Sequence, residues 1–281
     1  MTQPQFLVVG HVTQDIKPTG YTLGGTATYA AVTAHRLGVR AAIVTSAADD
    51  LDLSALDGVA VHRVPAPHTS TFENIYDGGN RTQYLRAVAA PLDCSDVPPD
   101  WRAAATVLLG PLTQEVDPNI VDCFRKSIIG VTPQGWMRAW DAAGRVSFTP
   151  WVSAGKVLSR ANALIYSIED VHGDHAFVDM LGRLARIMIV TEGVGGAYLY
   201  QGAARVHFPA YAANEVDPTG AGDVFAAAFL IRLQETGDPA QAMMFAAATA
   251  SFAVEAPGIA GLPTRAQVME RMQAGLTNAD G

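Results

Sequence analysis

The chain has 281 residues, is 49% hydrophobic and only 16% charged, which suits a single folded domain over 1–281 and excludes a disordered chain. Its net charge of -8 argues against nucleic-acid binding, which requires a basic face, but allows a phosphate held by backbone amides. Cys94 and Cys123 are far apart with no CxxC pair. The N-terminus lacks a signal peptide's basic start and apolar run, and no run reaches the roughly 20 apolar residues that cross a bilayer. We therefore expect no disulfide, no zinc site, no membrane partner and a cytoplasmic location.

FLVVG at 6–10 reads as a buried strand ending in glycine. A loop with Asp15 follows. Gly24-Gly25 opens a helix that Gly38 closes, and RAAIVTS at 40–46 is a second buried strand. This βαβ order predicts a parallel sheet. STFENIY, DGGN and RTQYLRA (70–87) read as a hairpin around a glycine turn, either a flap over a ligand or an ordinary antiparallel edge. Strand-like runs follow at 106–110, 127–133, 163–168 and 186–193, with helical spacing between several of them. GAYLYQG and ARVHFPA form a second hairpin, and helices are predicted over 223–235, 239–254 and 264–275.

Two places concentrate chemistry. In Asp217-Pro218-Thr219-Gly220-Ala221-Gly222-Asp223 the glycines stand where an apolar helix begins. First-turn amides there are unpaired, the helix dipole favours an anion, and glycine lets a ligand approach the backbone. A carboxylate beside such an anion hole is the equipment for phosphoryl transfer to a hydroxyl, with Asp223 accepting the proton. Read alone, the same residues are better taken as a helix cap with an acidic first turn. Asp15 and Gly24-Gly25 lie after the first strand, at the sheet end where open α/β proteins bind ligands; Asp15 alone also reads as a turn residue. No GxxxxGK[ST] or GxGxxG is present, which disfavours a P-loop or Rossmann dehydrogenase.

Asp15, Gly24-Gly25, Thr191-Glu192-Gly193-Val194-Gly195-Gly196 and the Asp217–Asp223 element together resemble the ribokinase-like (PfkB-type) carbohydrate kinase family over nearly the whole chain. The last element resembles the family's D-[TS]-T-G-A-G-D signature, with Pro218 the one departure. The resemblance implies a three-layer α/β/α sandwich with a mostly parallel central sheet and a β-hairpin lid, reduced to about 66–90. It implies ATP with Mg2+ as donor and transfer to a sugar or cyclic polyol, with a loose likeness to the myo-inositol kinase-like branch in the 131–146 segment. Asp223 would be the base and the Gly220, Ala221 and Gly222 amides the anion hole. Asp15, Gly24, Gly25 and Arg138 would hold the acceptor. Thr191, Gly193, Gly196, Thr219, Ala247 and Ala250 would line the nucleotide site. Asp217 would be placed near a monovalent cation (K+).

Where the family carries N-x-x-E, this chain has Ser167-Ile168-Glu169-Asp170, leaving Glu169 and Asp170 for a water-bridged Mg2+ contact. Tyr29 stands where an Asn is usual, which departs from a simple ribose pocket. Phe72, Asn74, Tyr76, Arg81 and Tyr84 are flap candidates, and Trp136 and Trp140 belong either to the pocket or to the core. A nucleoside kinase and a catalytically silent ligand-binding homologue stay open as alternatives, as do a monomer and a homodimer.

Overall fold

The structure, a computed structural model, describes residues 3–277 except 78 and 79, with the side chains of 76, 77, 80, 81, 276 and 277 left aside. Among the described residues, fifteen strands and six helices follow one another. The first half carries β1 (Phe6–Val9), β2 (Thr13–Ile16), β3 (Tyr21–Gly24), α1 (Gly25–Arg36), β4 (Ala41–Ala47), β5 (Ala60–Pro65), β6 (Thr71–Asp77), β7 (Asn80–Ala87), β8 (Thr106–Leu109) and β9 (Ile128–Val131). Then come β10 (Arg138–Trp140), β11 (Val146–Phe148), α2 (Ala154–Leu158), β12 (Ala163–Ser167), α3 (His175–Leu184), β13 (Met188–Thr191), β14 (Ala197–Gln201) and β15 (Ala204–Phe208). Helices α4 (Ala221–Thr236), α5 (Pro239–Ala253) and α6 (Arg265–Thr277) close the chain.

The central sheet has nine strands in the order β15-β14-β13-β12-β9-β8-β1-β4-β5. It is parallel from β13 to β5, with antiparallel β14 and β15 at one edge. Alternation along β1 shows why both faces need cover. Phe6 and Val8 enter one apolar layer with α1, α4 and α5, while Leu7 and Val9 enter the opposite layer. The three-layer expectation is therefore met. The second layer is thinner than the helical spacing predicted: β8 passes to β9 through a 3-10 segment at Pro118–Cys123, whose proline and Asp117 cap favour a short turn. Trp101, Ile120 and Phe124, each almost fully buried, fill that layer.

The sequence expectation for the cysteines is corrected. Cys94 and Cys123 are joined as a disulfide, with Cα atoms 6.0 Å apart. The two segments around β8 fold back on one another, and a sequence separation of 29 says nothing about that return. Among the described residues, no helix is long and apolar enough to cross a membrane.

The lid also differs from the single hairpin expected over 66–90. It is a four-stranded sheet in the order β3-β2-β6-β7, with β2 and β6 parallel. Strands β2 and β3 are four residues each and partly exposed, so they carry too little alternation to be read from sequence. The β10–β11 hairpin abuts β7 through Leu85 N–H to the Gly144 carbonyl, 2.8 Å. The 131–146 segment thus serves partly as a buttress for the lid.

Candidate active site

Helix α4 begins at the carboxyl end of the parallel strands. Gly220 is its N-cap, at φ +81°, a left-handed conformation open to glycine at little cost. A Cβ on Gly220 would fall inside the Tyr29 ring. The turn before it is held by Asp217 Oδ1, which accepts the Thr219 N–H at 3.0 Å, and by Val216 and Asp217 N–H groups on the Val254 carbonyl. Ala221 N–H reaches the Pro218 carbonyl at 3.2 Å. Gly222 and Asp223 remain as the first-turn amides that helix geometry does not use.

Asp223 is half-buried and points toward α1, where Thr26 Oγ1 donates to its Oδ1 at 2.7 Å. Burial pushes the carboxyl up to about 6; the Thr26 hydrogen bond and the Arg138 guanidinium pull it down, and the Asp170 charge adds to the rise. A base of that strength is mostly ionised at neutral pH yet more basic than an ordinary carboxylate. Thr26 was not singled out in the sequence, because a threonine in a helix's first turn carries no signal until its partner, 197 residues away, is known. Its methyl rests against Gly110, and beside Gly110 lies Thr132, whose buried hydroxyl has no hydrogen-bond partner among the described residues.

Asp15 lies on β2 over Gly24, where a Cβ would collide with its carboxylate. Gly25, at φ +86°, leaves a Cβ position only 2.6 Å from the His11 carbonyl. The diglycine is therefore demanded by packing against β2 and the His11 carbonyl. Arg138, from β10, donates to the Leu112 carbonyl at 3.3 Å and lies 5.3 Å from the centre of the Phe72 ring in the lid. The fold thus brings Asp223, Thr26, Arg138 and Asp170 together, with Tyr29 packed under Gly220. The charges of Asp15, Asp217 and Asp223, with burial as the larger cause, drive the Tyr29 hydroxyl well above its ordinary range.

The donor-side candidates form a second group. Thr191 ends β13, and Gly193 and Gly196 shape the turn into β14. Gly196 has φ +88°, and a Cβ there would strike the Phe208 carbonyl. Ala247 and Ala250 lie one turn apart on α5 and are partly exposed where their neighbours Ala246, Ala248 and Thr249 are buried. Thr219 is exposed at the turn.

The metal candidates are less open than their sequence suggests. Ser167 and Asp170 form a reciprocal capping box. One Asp170 oxygen accepts the Ser167 N–H at 3.0 Å and the other accepts Gln134 Nε2 at 2.7 Å. Glu169 is exposed. Among the described residues no group of three or more His, Cys, Asp or Glu is placed to hold a metal ion. These residues fit a metal that arrives bound to phosphate and meets the protein through water.

Of the aromatic candidates, Trp136 is a core residue. It stacks on Trp151 at 5.1 Å and donates to the Val116 carbonyl at 2.9 Å. Trp140 is 38% exposed. Phe72 is buried against Leu85 and Leu112, Tyr84 lies beneath Arg86, and Asn74 accepts from Gln83. Tyr76 and Arg81 lie outside the described side chains.

If Asp223 serves as a base it must be ionised to act, and kcat/KM should then fall on the acid side with a midpoint at about 6. Thr26→Val removes a contact that favours the ionised form, so that midpoint should move to higher pH, and Thr26→Ser should restore it. A pH–rate profile of the three proteins checks this; superimposable profiles would remove Thr26 from the account.

Residues 168–265 match the description "pfkB family carbohydrate kinase". A nucleoside kinase of Methanocaldococcus jannaschii is 41% identical over 88 residues, which is 31% of this chain and 29% of that protein; the matched segment thus spans under a third of this relative. Over the whole chain the likeness is structural. A pyrophosphate-dependent kinase in the ribokinase family, complexed with a pyrophosphate analog and myo-inositol, superposes with a TM-score of 0.78 at 22% identity, over 95% of this chain and 99% of that one. Arabidopsis thaliana ribokinase, complexed with ribose and ATP, superposes with a TM-score of 0.73 at 20% identity, over 97% and 99%. Residues 168–265, about a third of the chain, are thus similar to the pfkB family of carbohydrate kinases, and the chain as a whole shares the fold of these ribokinase-family structures.

Proposed function

We propose that this protein is a small-molecule kinase that moves a phosphoryl group from Mg·ATP to a hydroxyl of a sugar or cyclic polyol. The observation that carries the reading is the setting of Asp223: a half-buried carboxylate of raised pKa, in the first turn of α4, bonded by Thr26 and facing Arg138 beneath the lid. The acceptor oxygen forms a bond to the γ-phosphorus as the bond to the leaving β-phosphate oxygen breaks, and the hydroxyl proton passes to Asp223. Of the Gly220, Ala221 and Gly222 amides read as the anion hole, Ala221 is spent on the Pro218 carbonyl and Gly220 is the N-cap, so the Gly222 amide, with that of Asp223 and the α4 dipole, stabilises charge on the transferring group. Asp15, Gly24, Gly25 and Arg138 hold the acceptor, while Thr191, Gly193, Gly196, Thr219, Ala247 and Ala250 hold the nucleotide. Mg2+ neutralises the donor phosphates when bound. Asp170 and Glu169 are the carboxylates that would meet it through water, and Asp217 is the one that would hold a monovalent cation.

The acceptor class is argued from the chemistry of the side chains at the lid. A nucleobase would want an aromatic clamp, yet Phe72 is buried beneath Arg138 and Trp136 lies in the core against Trp151. The side chains proposed to hold the acceptor, Asp15 and Arg138, suit paired hydroxyls. A cyclic polyol such as myo-inositol therefore heads the acceptor set.

The test is a turnover panel of myo-inositol, ribose, fructose and nucleosides, each with ATP and with pyrophosphate as donor. Transfer from ATP to myo-inositol or a sugar supports the reading. Preference for a nucleoside would move it to the nucleoside kinases. A pyrophosphate requirement would overturn the donor, and donor binding without transfer to any acceptor would leave a silent binding protein.

A further inference from the structure

One group of buried polar residues that phosphoryl transfer does not use lies at the root of the lid. His11 follows β1 and is fully buried. Its Nε2 lies 2.9 Å from the Ala90 carbonyl and its Nδ1 lies 2.7 Å from Ser70 Oγ. Ser70 leads into β6 and Ala90 follows β7, so the imidazole spans both ends of the lid hairpin. A carbonyl can only accept, which puts a proton on Nε2. Ser70 Oγ also accepts the Ala89 N–H at 3.0 Å, and the Ser70 carbonyl takes the Gln14 N–H of β2 at 2.9 Å. Strands β2, β6 and β7 are therefore tied at one point.

Glu115 supports this point from below. It is 3% exposed, and its carboxylate accepts N–H groups of His11 at 3.1 Å, Leu112 at 2.9 Å and Thr113 at 2.6 Å. Burial alone would raise the carboxyl; adjacent His11 and these backbone donors outweigh it and hold it below the ordinary range. The loop it fixes presents Leu112 to Phe72 and Leu85 of the lid, and the Leu112 carbonyl receives Arg138. A buried polar cluster is a costly way to hold two elements together when apolar contacts would serve. What it adds is direction, since hydrogen bonds weaken steeply when their angles change.

We propose that His11 and Glu115 are positioning residues that set the angle of the lid, so that Phe72 and Arg138 close over an acceptor whose hydroxyl faces Asp223. The proposal rests on the kinase reading for its kinetic consequence and on the hydrogen bonds alone for its structural one. His11→Gln keeps an amide donor for Ala90 and loses the Ser70 arm, and Ser70→Ala loses that arm from the other side. Each variant should raise the acceptor KM about tenfold, the effect of one such bond. The donor KM should stay within about twofold, because the donor residues lie on the β13–β14 turn and α5. In His11→Gln the Gln14 and Ala89 amides, which both bond Ser70, should exchange hydrogen about tenfold faster or more. An unchanged acceptor KM in both folded variants, or a donor KM rising in parallel, overturns the proposal. If the unsubstituted protein phosphorylates no acceptor, the kinase reading fails while hydrogen exchange still decides the lid root. Unchanged protection at Gln14 and Ala89 in folded His11→Gln then overturns the proposal.

Discussion

Asp223→Asn is expected to lower turnover by about 10³-fold, within the range general bases contribute, while leaving donor binding and the fold in place. Asparagine keeps an oxygen where Thr26 donates to Asp223 Oδ1, so the side chain stays oriented. It cannot take the acceptor's proton. The substitution also removes a carboxylate that burial disfavours, so the melting temperature should stay level or rise. Steady-state rates with the best acceptor, calorimetric titration of the donor and a thermal melt check the three parts. A loss of less than about tenfold would mean that Asp223 is not the base.

The two glycines of the signature should separate a structural from a functional demand. Gly220→Ala puts a Cβ into the Tyr29 ring at φ +81°. It should destabilise the protein by about 1–3 kcal/mol from backbone strain alone, with further loss from the clash. Gly222 is different. A Cβ there meets nothing within 4 Å, and its φ is not in the left-handed range. Gly222→Ala should therefore leave the melting temperature unchanged or raised, since alanine is favoured over glycine in a helix by about 0.8–1.0 kcal/mol. It should nonetheless weaken donor phosphate binding, because a methyl would stand where the phosphate approaches the backbone. A wild-type donor KM in Gly222→Ala would remove the anion hole from this turn.

Much of the frame was legible in one dimension. Strand β1, helix α1 with Gly38 as its stop, the β6–β7 and β14–β15 hairpins and the three last helices follow from short apolar runs, glycine and proline punctuation and helical spacing. These signals are local. The GAGD stretch was legible for the same reason: glycines directly before an apolar helix define an N-terminus, and Asp223 can only fall in its first turn.

Other features escaped. Strands β2 and β3 are too short and too exposed to show a period, so the lid read as one hairpin. The cysteines read as separate because the return of the chain around β8 is a property of the sheet order. Trp136 read as an open choice between pocket and core, and the stack on Trp151 places it in the core.

The sequence by itself determined the α/β class, the helix start that carries Asp223 and the departures at Tyr29, Ser167 and Asp170. Each of these depends on residues within a turn or two of one another. Only the tertiary structure decided that Thr26 holds Asp223, that Arg138 sits on Phe72 and that His11 bridges Ser70 to Ala90. Those pairs are separated by 197, 66, 59 and 79 residues. Their chemistry arises when a parallel sheet brings the ends of distant strands to one edge, a juxtaposition that no local pattern encodes.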